Sequence, residues 1–354
     1  MMASFIEANN SFVFGGIQTM EIKNLFKYRI YWMGVAMLWV VLFHMGVPFS
    51  GLLKQIKTYG YAGVDIFLFA SGIGNYYSYL KCKEPLTFLK RKITRLAPSY
   101  IPFIIIWLLV EILLEKVAPK AIIGNLLCIQ GFTNNGGEFN WYLTAILVCY
   151  VLAPYLVSYV DCHGIKMNML LIATLILASF AFWGDEKFII TATRIPIFVI
   201  GIIVARYGDC ILTGKLKIAS FVSFVIGFVA LSFCAQYYVE GLWFKGLYWY
   251  PFILMTPFIC MIISVIIGGI EKRKTLKGVL SPLLVVLSEV GKCSFEIFLI
   301  HIFFKDMAYY MITKYHYSNS EYIYIGVSIF SIIFAIAVKE IISKIVSIYS
   351  VSKA

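Results

Sequence analysis

Along the chain, long apolar runs alternate with short polar joints. The runs are about 18 to 22 residues long, enough for an α-helix to cross a hydrocarbon core of ~30 Å. Membrane-spanning strands would show shorter segments of alternating polarity, which these are not. The pattern predicts an all-α polytopic membrane bundle of about ten transmembrane helices. Their expected positions are 30–49, 62–80, 97–115, 140–160, 167–184, 190–206, 217–237, 247–269, 283–311 and 321–347. A further apolar stretch, 121–132, is too short to cross and reads as an interfacial or re-entrant piece.

Residues 1–27 read as a cytoplasmic N-terminal tail and 28–348 as a single membrane domain. Residues 1–19 carry no Lys or Arg and no long apolar run, so they lack the basic n-region and apolar h-region of a signal peptide. Met20 opens the sequence Glu21-Ile22-Lys23-Asn24-Leu25-Phe26-Lys27, a usual cytoplasmic lead-in to a first span. Two readings stay open: a start at Met20, or a short disordered tail before it.

Composition agrees with the pattern. The 354 residues are 61% hydrophobic and only 14% charged, against about 25% charged in soluble domains. Mean hydropathy is +0.87. The net charge of +12 would fit a nucleic-acid binder, but in so apolar a chain the enrichment of Lys and Arg in cytoplasmic loops accounts for it. With both termini inside, about 20 basic residues fall on cytoplasmic segments and about 9 outside. Two clusters decide the orientation: Lys81 to Arg95, and Lys272-Arg273-Lys274 with Lys277. The expected location is the cytoplasmic (inner) membrane, with lipid and not nucleic acid as the surrounding partner. The 8 cysteines and 4 histidines show no metal-ligand or redox spacing, so no metal is expected.

Ionisable residues inside spans cost about 2.5–3.5 kcal/mol each at mid-bilayer on insertion scales, so each asks for a reason. The candidates are His44, Asp65, Glu111, Glu289, Lys292, Glu296 and His301. His44 follows Arg29 by fifteen residues, ~22 Å along a helix, which sets it in the outer half of the membrane. Asp65 opens a helix that descends from outside, as do Trp141 and Tyr142, and His301 lies well along an ascending one. Groups from four spans can therefore meet at one depth. Lys292 and Glu296 are four apart, on one helix face, where they can neutralise each other. Each also has a plainer reading: a helix-to-helix hydrogen bond for His44, an architectural ion pair for Lys292–Glu296, an interfacial aromatic anchor for Trp141. The basic stretch Phe88 to Pro98, with Arg91, Lys92 and Arg95, sits at the cytoplasmic mouth of the third span. Its density exceeds what membrane anchoring needs and suits phosphate binding.

Six stretches in order resemble the acyltransferase type 3 family of bacterial membrane proteins. They cover about residues 28 to 305. The first span ends Leu42-Phe43-His44, like the family's first helix. Gly63-Val64-Asp65 to Ser71-Gly72 is similar to the family's second block, and Phe88 to Tyr100 to its basic block. Asn140-Trp141-Tyr142-Leu143, Arg194 to Gly201, and Gly291-Lys292 to His301 complete the series. There are departures. Met33 stands where the family carries an arginine eleven residues before the histidine, with Arg29 one turn earlier, and Lys92 stands where a paired arginine is usual, with Arg91 beside it.

The resemblance implies an O-acyltransferase (an enzyme moving groups other than aminoacyl groups), with acetyl-CoA as co-substrate rather than a resident cofactor. The implied acceptor is a hydroxyl of a cell-surface carbohydrate. On this reading Arg91, Lys92 and Arg95 hold the coenzyme's phosphates, and His44 is a general base with Asp65 orienting its imidazole. Arg29, Trp141, Lys292, Glu296 and His301 support the substrates. Direct transfer and a transient acyl group on His44 both stay open. The rival readings are a transporter or flippase of a glycan or lipid intermediate, and a structural partner in polysaccharide assembly. No pair of related broken segments favours the transporter.

Overall fold

A computed structural model describes residues 21–113, 119–133, 141–236, 246–318 and 320–351. Met20 and the tail before it lie outside the described residues. A 3-10 stretch, Ile22–Tyr28, leads into α1 (Arg29–His44). Then follow α2 (Gly51–Thr58), α3 (Gly63–Cys82), α4 (Pro85–Leu113), α5 (Pro119–Leu126), α6 (Gln130–Thr133) and α7 (Trp141–Cys162). The second half holds α8 (Ile165–Ser179), α9 (Glu186–Ala192), α10 (Ile195–Arg206), α11 (Gly214–Gln236), α12 (Tyr250–Lys272), α13 (Lys274–Lys292), α14 (Ser294–Tyr315) and α15 (Ser320–Val351).

Among the described residues, eight helical stretches are long and apolar enough to cross a membrane: Ile22–His44, Pro85–Leu113, Trp141–Cys162, Ile165–Phe182, Lys187–Arg206, Gly214–Gln236, Tyr250–Lys272 and Ser320–Ile348. They coincide with eight of the expected spans. The other two, 62–80 and 283–311, correspond to α3, which is largely buried, and to parts of α13 and α14. In α3, every residue from Gly63 to Ala70 is buried, Asp65 among them.

The run 283–311 is not one helix, which corrects the expectation. It breaks at Cys293 (φ −99°, ψ 12°), whose N–H bonds the Glu289 carbonyl. Upstream, α13 is amphipathic: Leu284, Leu287, Val290 and Gly291 are buried, while Lys274, Lys277 and Lys292 are exposed. Downstream, α14 is enclosed from Ser294 to Ile302, Phe295 alone being half-buried. The run 190–206 is also divided. Ala192 ends α9 and Pro196, which has no N–H to donate, sits in the first turn of α10.

The short stretch 121–132 folds as α5 and α6 against their neighbours. The Tyr100 hydroxyl of α4 donates to the Asn125 carbonyl at 2.6 Å, and the Thr144 hydroxyl of α7 donates to the Cys128 carbonyl at 2.8 Å. At the start of α4, Glu84 accepts from the backbone N–H groups of Thr87 and Leu86. Hydrogen bonds from Thr87, ahead of that from Leu86, hold its carboxyl below the usual carboxylate range.

The bundle is organised around α3, which packs most extensively on α10 and then on α1 and α7. The α3–α10 crossing is set by glycine. A Cβ at Gly72 would lie 2.1 Å from the Phe198 carbonyl oxygen, and one at Gly201 would lie 2.2 Å from that of Phe69. Between apolar helices in lipid, backbone approach of this kind supplies the packing that water exclusion cannot. A second crossing joins α1 to α13, where Gly34 abuts the Leu287 carbonyl and Gly291 that of Ile30. By contrast α11 and α15 are peripheral, each only 11% buried over its most apolar window. Their exposed Phe, Ile and Val side chains suit a lipid boundary.

Candidate functional site

A cavity of about 560 Å³ opens among α1, α3, α4, α7, α14 and α15. Six cations line it: Lys27, Arg29, Lys92, Arg95, Lys292 and Lys339. Three of them are neutralised by carboxylates. Lys27 pairs with Glu271 at 3.2 Å, Lys292 with Glu289 at 2.7 Å, and Lys339 with Glu296 at 2.7 Å. Arg29, Lys92 and Arg95 have no carboxylate partner among the described residues.

Local structure explains who faces the cavity. Lys92 and Arg95 are three apart on α4 and share a face, one turn beyond the buried Phe88. The Lys92 ammonium lies 4.9 Å from the Phe88 ring centroid and 5.7 Å from that of Tyr150. Arg29 opens α1 on the opposite wall, with Met33 beside it in the lining. Arg91, expected with Lys92 and Arg95, does not line the cavity. It is exposed and borders a separate shallow groove with Thr87, Lys90, Thr94 and Arg95, because one helical position rotates a side chain by about 100°.

The expected Lys292–Glu296 pair does not form. The break at Cys293 places the two on different helices, so the four-residue spacing no longer shares a face. Lys292 bonds Glu289 instead. The buried Glu296 Oε1 accepts from Ser99 Oγ at 2.6 Å and from Lys339 Nζ at 2.7 Å. Lys339 and Ser99 were not expected here. The available signal is a lysine that follows the apolar run 329–338 inside an expected span.

The cavity is also lined by Phe67, Tyr142 and Phe298. Tyr142 packs at 6.2 Å from Phe67 and 5.0 Å from Phe298, ring centroid to centroid. One turn past Phe298 is His301, and its ring is 5.2 Å from that of His44 at the end of α1. His301 Nε2 lies 3.2 Å from His44 Nδ1. His301 Nδ1 bonds the Ile297 carbonyl at 2.7 Å, and His44 Nδ1 the Val40 carbonyl at 3.0 Å. His301 is buried; His44 is half-buried.

Asp65 is not part of this pair, contrary to the expectation that it orients His44. Its two carboxylate oxygens each accept from Arg194 Nη1 at 2.9 Å, with both side chains essentially inaccessible. The helix phase gives the reason. Asp65, Phe69 and Gly72 follow the i, i+4, i+7 spacing of one face, and that face packs on α10. Gly63, two positions earlier, is the residue turned towards α1, against Ala36 and Val40. Trp141 belongs with Asp65 rather than with the histidines: the Arg194 guanidinium lies 5.8 Å from its ring and 5.2 Å from that of Trp249. Arg194 had been read only as part of a sequence block, although a single arginine within an apolar run is itself a signal. Among the described residues no three His, Cys, Asp or Glu side chains gather to hold a metal.

The polar interior thus has an unpaired cation trio, an aromatic lining and, one turn past Phe298, a histidine pair, with a separate buried ion pair. No curated protein and no solved structure matches the chain. The family model described as an acyltransferase domain matches residues 31–340, from the third residue of α1 well into α15. That match takes in both histidines and the cavity lining from Met33 to Lys339, with Phe26, Lys27, Arg29 and Ile30 just before it: the chain belongs to the acyltransferase type 3 family, as a membrane acyltransferase.

Proposed function

We propose that the protein is an O-acyltransferase of the cytoplasmic membrane. It takes an acetyl group from acetyl-CoA on the cytoplasmic side and passes it to a hydroxyl of a cell-surface glycan or glycan precursor. The observation that carries this reading is the trio Arg29, Lys92 and Arg95, cations without counter-charges lining a cavity that leads towards the histidine pair. Coenzyme A brings the missing anions as phosphates. Its pantetheine arm, ~15–20 Å when extended at chain-like spacing, covers most of the ~22 Å that fifteen helical residues put between Arg29 and His44.

His44 removes the hydroxyl proton. As it does so, the hydroxyl oxygen bonds to the thioester carbonyl carbon and the C–S bond breaks. The departing thiolate takes the proton from His44 and leaves as free coenzyme A thiol, so the base is regenerated. The acetyl group and the carbohydrate acceptor come from the family resemblance. They are tested by comparing acetylation of surface glycans in cells with and without the protein.

Coenzyme binding gives the sharper test. A hydrogen bond to a charged group contributes about 1.5–3 kcal/mol, so Arg95→Ala weakens acetyl-CoA binding to the purified protein about tenfold or more. Arg91→Ala, altering an exposed cation outside the cavity, costs less than about fivefold, the scale of a surface charge contact. Titration of the folded variants reads both. Equal affinity for wild type and Arg95→Ala removes the trio as the phosphate site.

The same reading needs ten crossings, α3 and α14 included, with both termini in the cytoplasm. In a cysteine-free background, a cysteine at Lys272 is labelled by an impermeant reagent only from inside and one at Lys54 only from outside. Labelling of both from the outside breaks this topology.

A further inference from the structure

His44 and His301 face each other across two helices without a carboxylate on either ring among the described residues. Their contacts fix where the protons are. A backbone carbonyl can only accept, so the nitrogen bonded to it carries the hydrogen. His301 Nδ1, 2.7 Å from the Ile297 oxygen, is therefore an N–H. The neutral His301 ring keeps its lone pair on Nε2, the atom that lies 3.2 Å from His44 Nδ1. His44 Nδ1 in turn lies 3.0 Å from the Val40 oxygen. With its hydrogen on Nδ1, His44 satisfies both neighbours through one shared donor. With its hydrogen on Nε2, the Nδ1 lone pair would face two acceptors at once.

We infer that His301 is the positioning residue for His44: it accepts the Nδ1–H of His44, fixes that tautomer, and leaves Nε2 as the free basic nitrogen. The inference rests on the acyltransferase reading, because a tautomer matters to function only if His44 handles a proton. During transfer Nε2 gains the hydroxyl proton, and the His44 Nδ1–H keeps donating to His301 Nε2 throughout, so the ring cannot turn away from the acceptor. The role that a carboxylate holds in many base–orienter pairs is filled here by a second, uncharged imidazole. The Ile297 carbonyl, one turn back on α14, keeps that imidazole in the accepting state.

The experiment has two readouts. Wild-type protein labelled with nitrogen-15 histidine in lipid nanodiscs is compared with His44→Gln, whose missing signals assign His44. The expected spectrum shows a protonated Nδ1 and an unprotonated Nε2. This measurement needs no turnover, so absence of acyl transfer by the wild type would sink the acyltransferase reading while the tautomer is still read. The second readout is kinetic. His301→Leu keeps bulk but cannot accept, and it lowers kcat at least tenfold, within the ~10 to 10⁴ range seen when a histidine's orienting partner is removed. Acetyl-CoA affinity is unchanged, and His44 loses its single tautomer. His301→Gln retains a carbonyl acceptor and recovers part of kcat together with the Nδ1–H signal. An Nε2–H tautomer in the wild type overturns the inference. So does wild-type kcat in His301→Leu, or an equal loss in the Leu and Gln variants with the His44 tautomer intact.

Discussion

His44→Ala and His44→Gln both lose ~10²–10⁴-fold of acyl transfer in proteoliposomes, the range set by removal of a general base, while acetyl-CoA still binds. The separation of effects follows from the layout. His44 lies beyond Phe298 and Tyr142, outside the cavity lining that contains Arg29, Lys92 and Arg95. Removing its imidazole therefore leaves those three cations in place. Glutamine is the more informative substitution because it keeps a side chain able to hydrogen-bond His301 and the Val40 carbonyl but has no basic nitrogen. A histidine that merely tied α1 to α14 would tolerate it with near-normal turnover. Substantial activity in His44→Gln, at matched protein level and coenzyme affinity, removes His44 as the base. His301 would then be tested next, since Asp65 has both oxygens committed to Arg194.

Asp65→Asn destabilises the folded protein by about 3–5 kcal/mol, the cost of leaving one member of a buried ion pair without the other. Arg194 is 1% exposed and its Nε already lacks an acceptor. Two tryptophan faces attract the guanidinium but carry no net charge. The paired substitution Asp65→Leu with Arg194→Met recovers much of the loss, because replacing both charges by apolar side chains removes the desolvation cost with the attraction. Thermal unfolding of detergent-solubilised variants reads this directly. A variant Asp65→Asn that unfolds like wild type yet loses turnover would return Asp65 to the catalytic role suggested by its neighbourhood in sequence.

How much of this could be read in advance varied with the kind of information needed. Helix positions depend on local hydrophobicity, and eight expected spans recur among the helices long and apolar enough to cross. Depth was also legible: counting residues from the cytoplasmic ends put His44 and His301 at one level, where the structure joins them. Rotation about the helix axis was not. Whether Asp65 faces α1 or α10 depends on which glycine of α3 meets which neighbour, and that is a property of the packed bundle. The same limit separated Arg91 from Lys92 and Arg95. The break at Cys293 escaped notice because no proline marks it, although the change from the amphipathic 274–292 pattern to the apolar run after it was available. Lys339 and Arg194 have a simpler explanation: each is a charge within an expected span, to which the cost argument applied to His44 applies equally.

The contact of Glu296 with Ser99 and Lys339 has a consequence for biosynthesis. Three helices, the last two of them consecutive, share one buried carboxylate, and its cation among the described residues sits on the last of them. As the chain leaves the ribosome, α4 and α14 precede α15 into the membrane. Until α15 arrives, the Glu296 carboxylate has no counter-ion in a low-dielectric interior, which disfavours close docking of α14 beside α4. The wall between those helices is also a wall of the cavity, lined by Lys92, Arg95, Glu296 and Lys339. The cavity thus has its complete wall only when the final helix is in place.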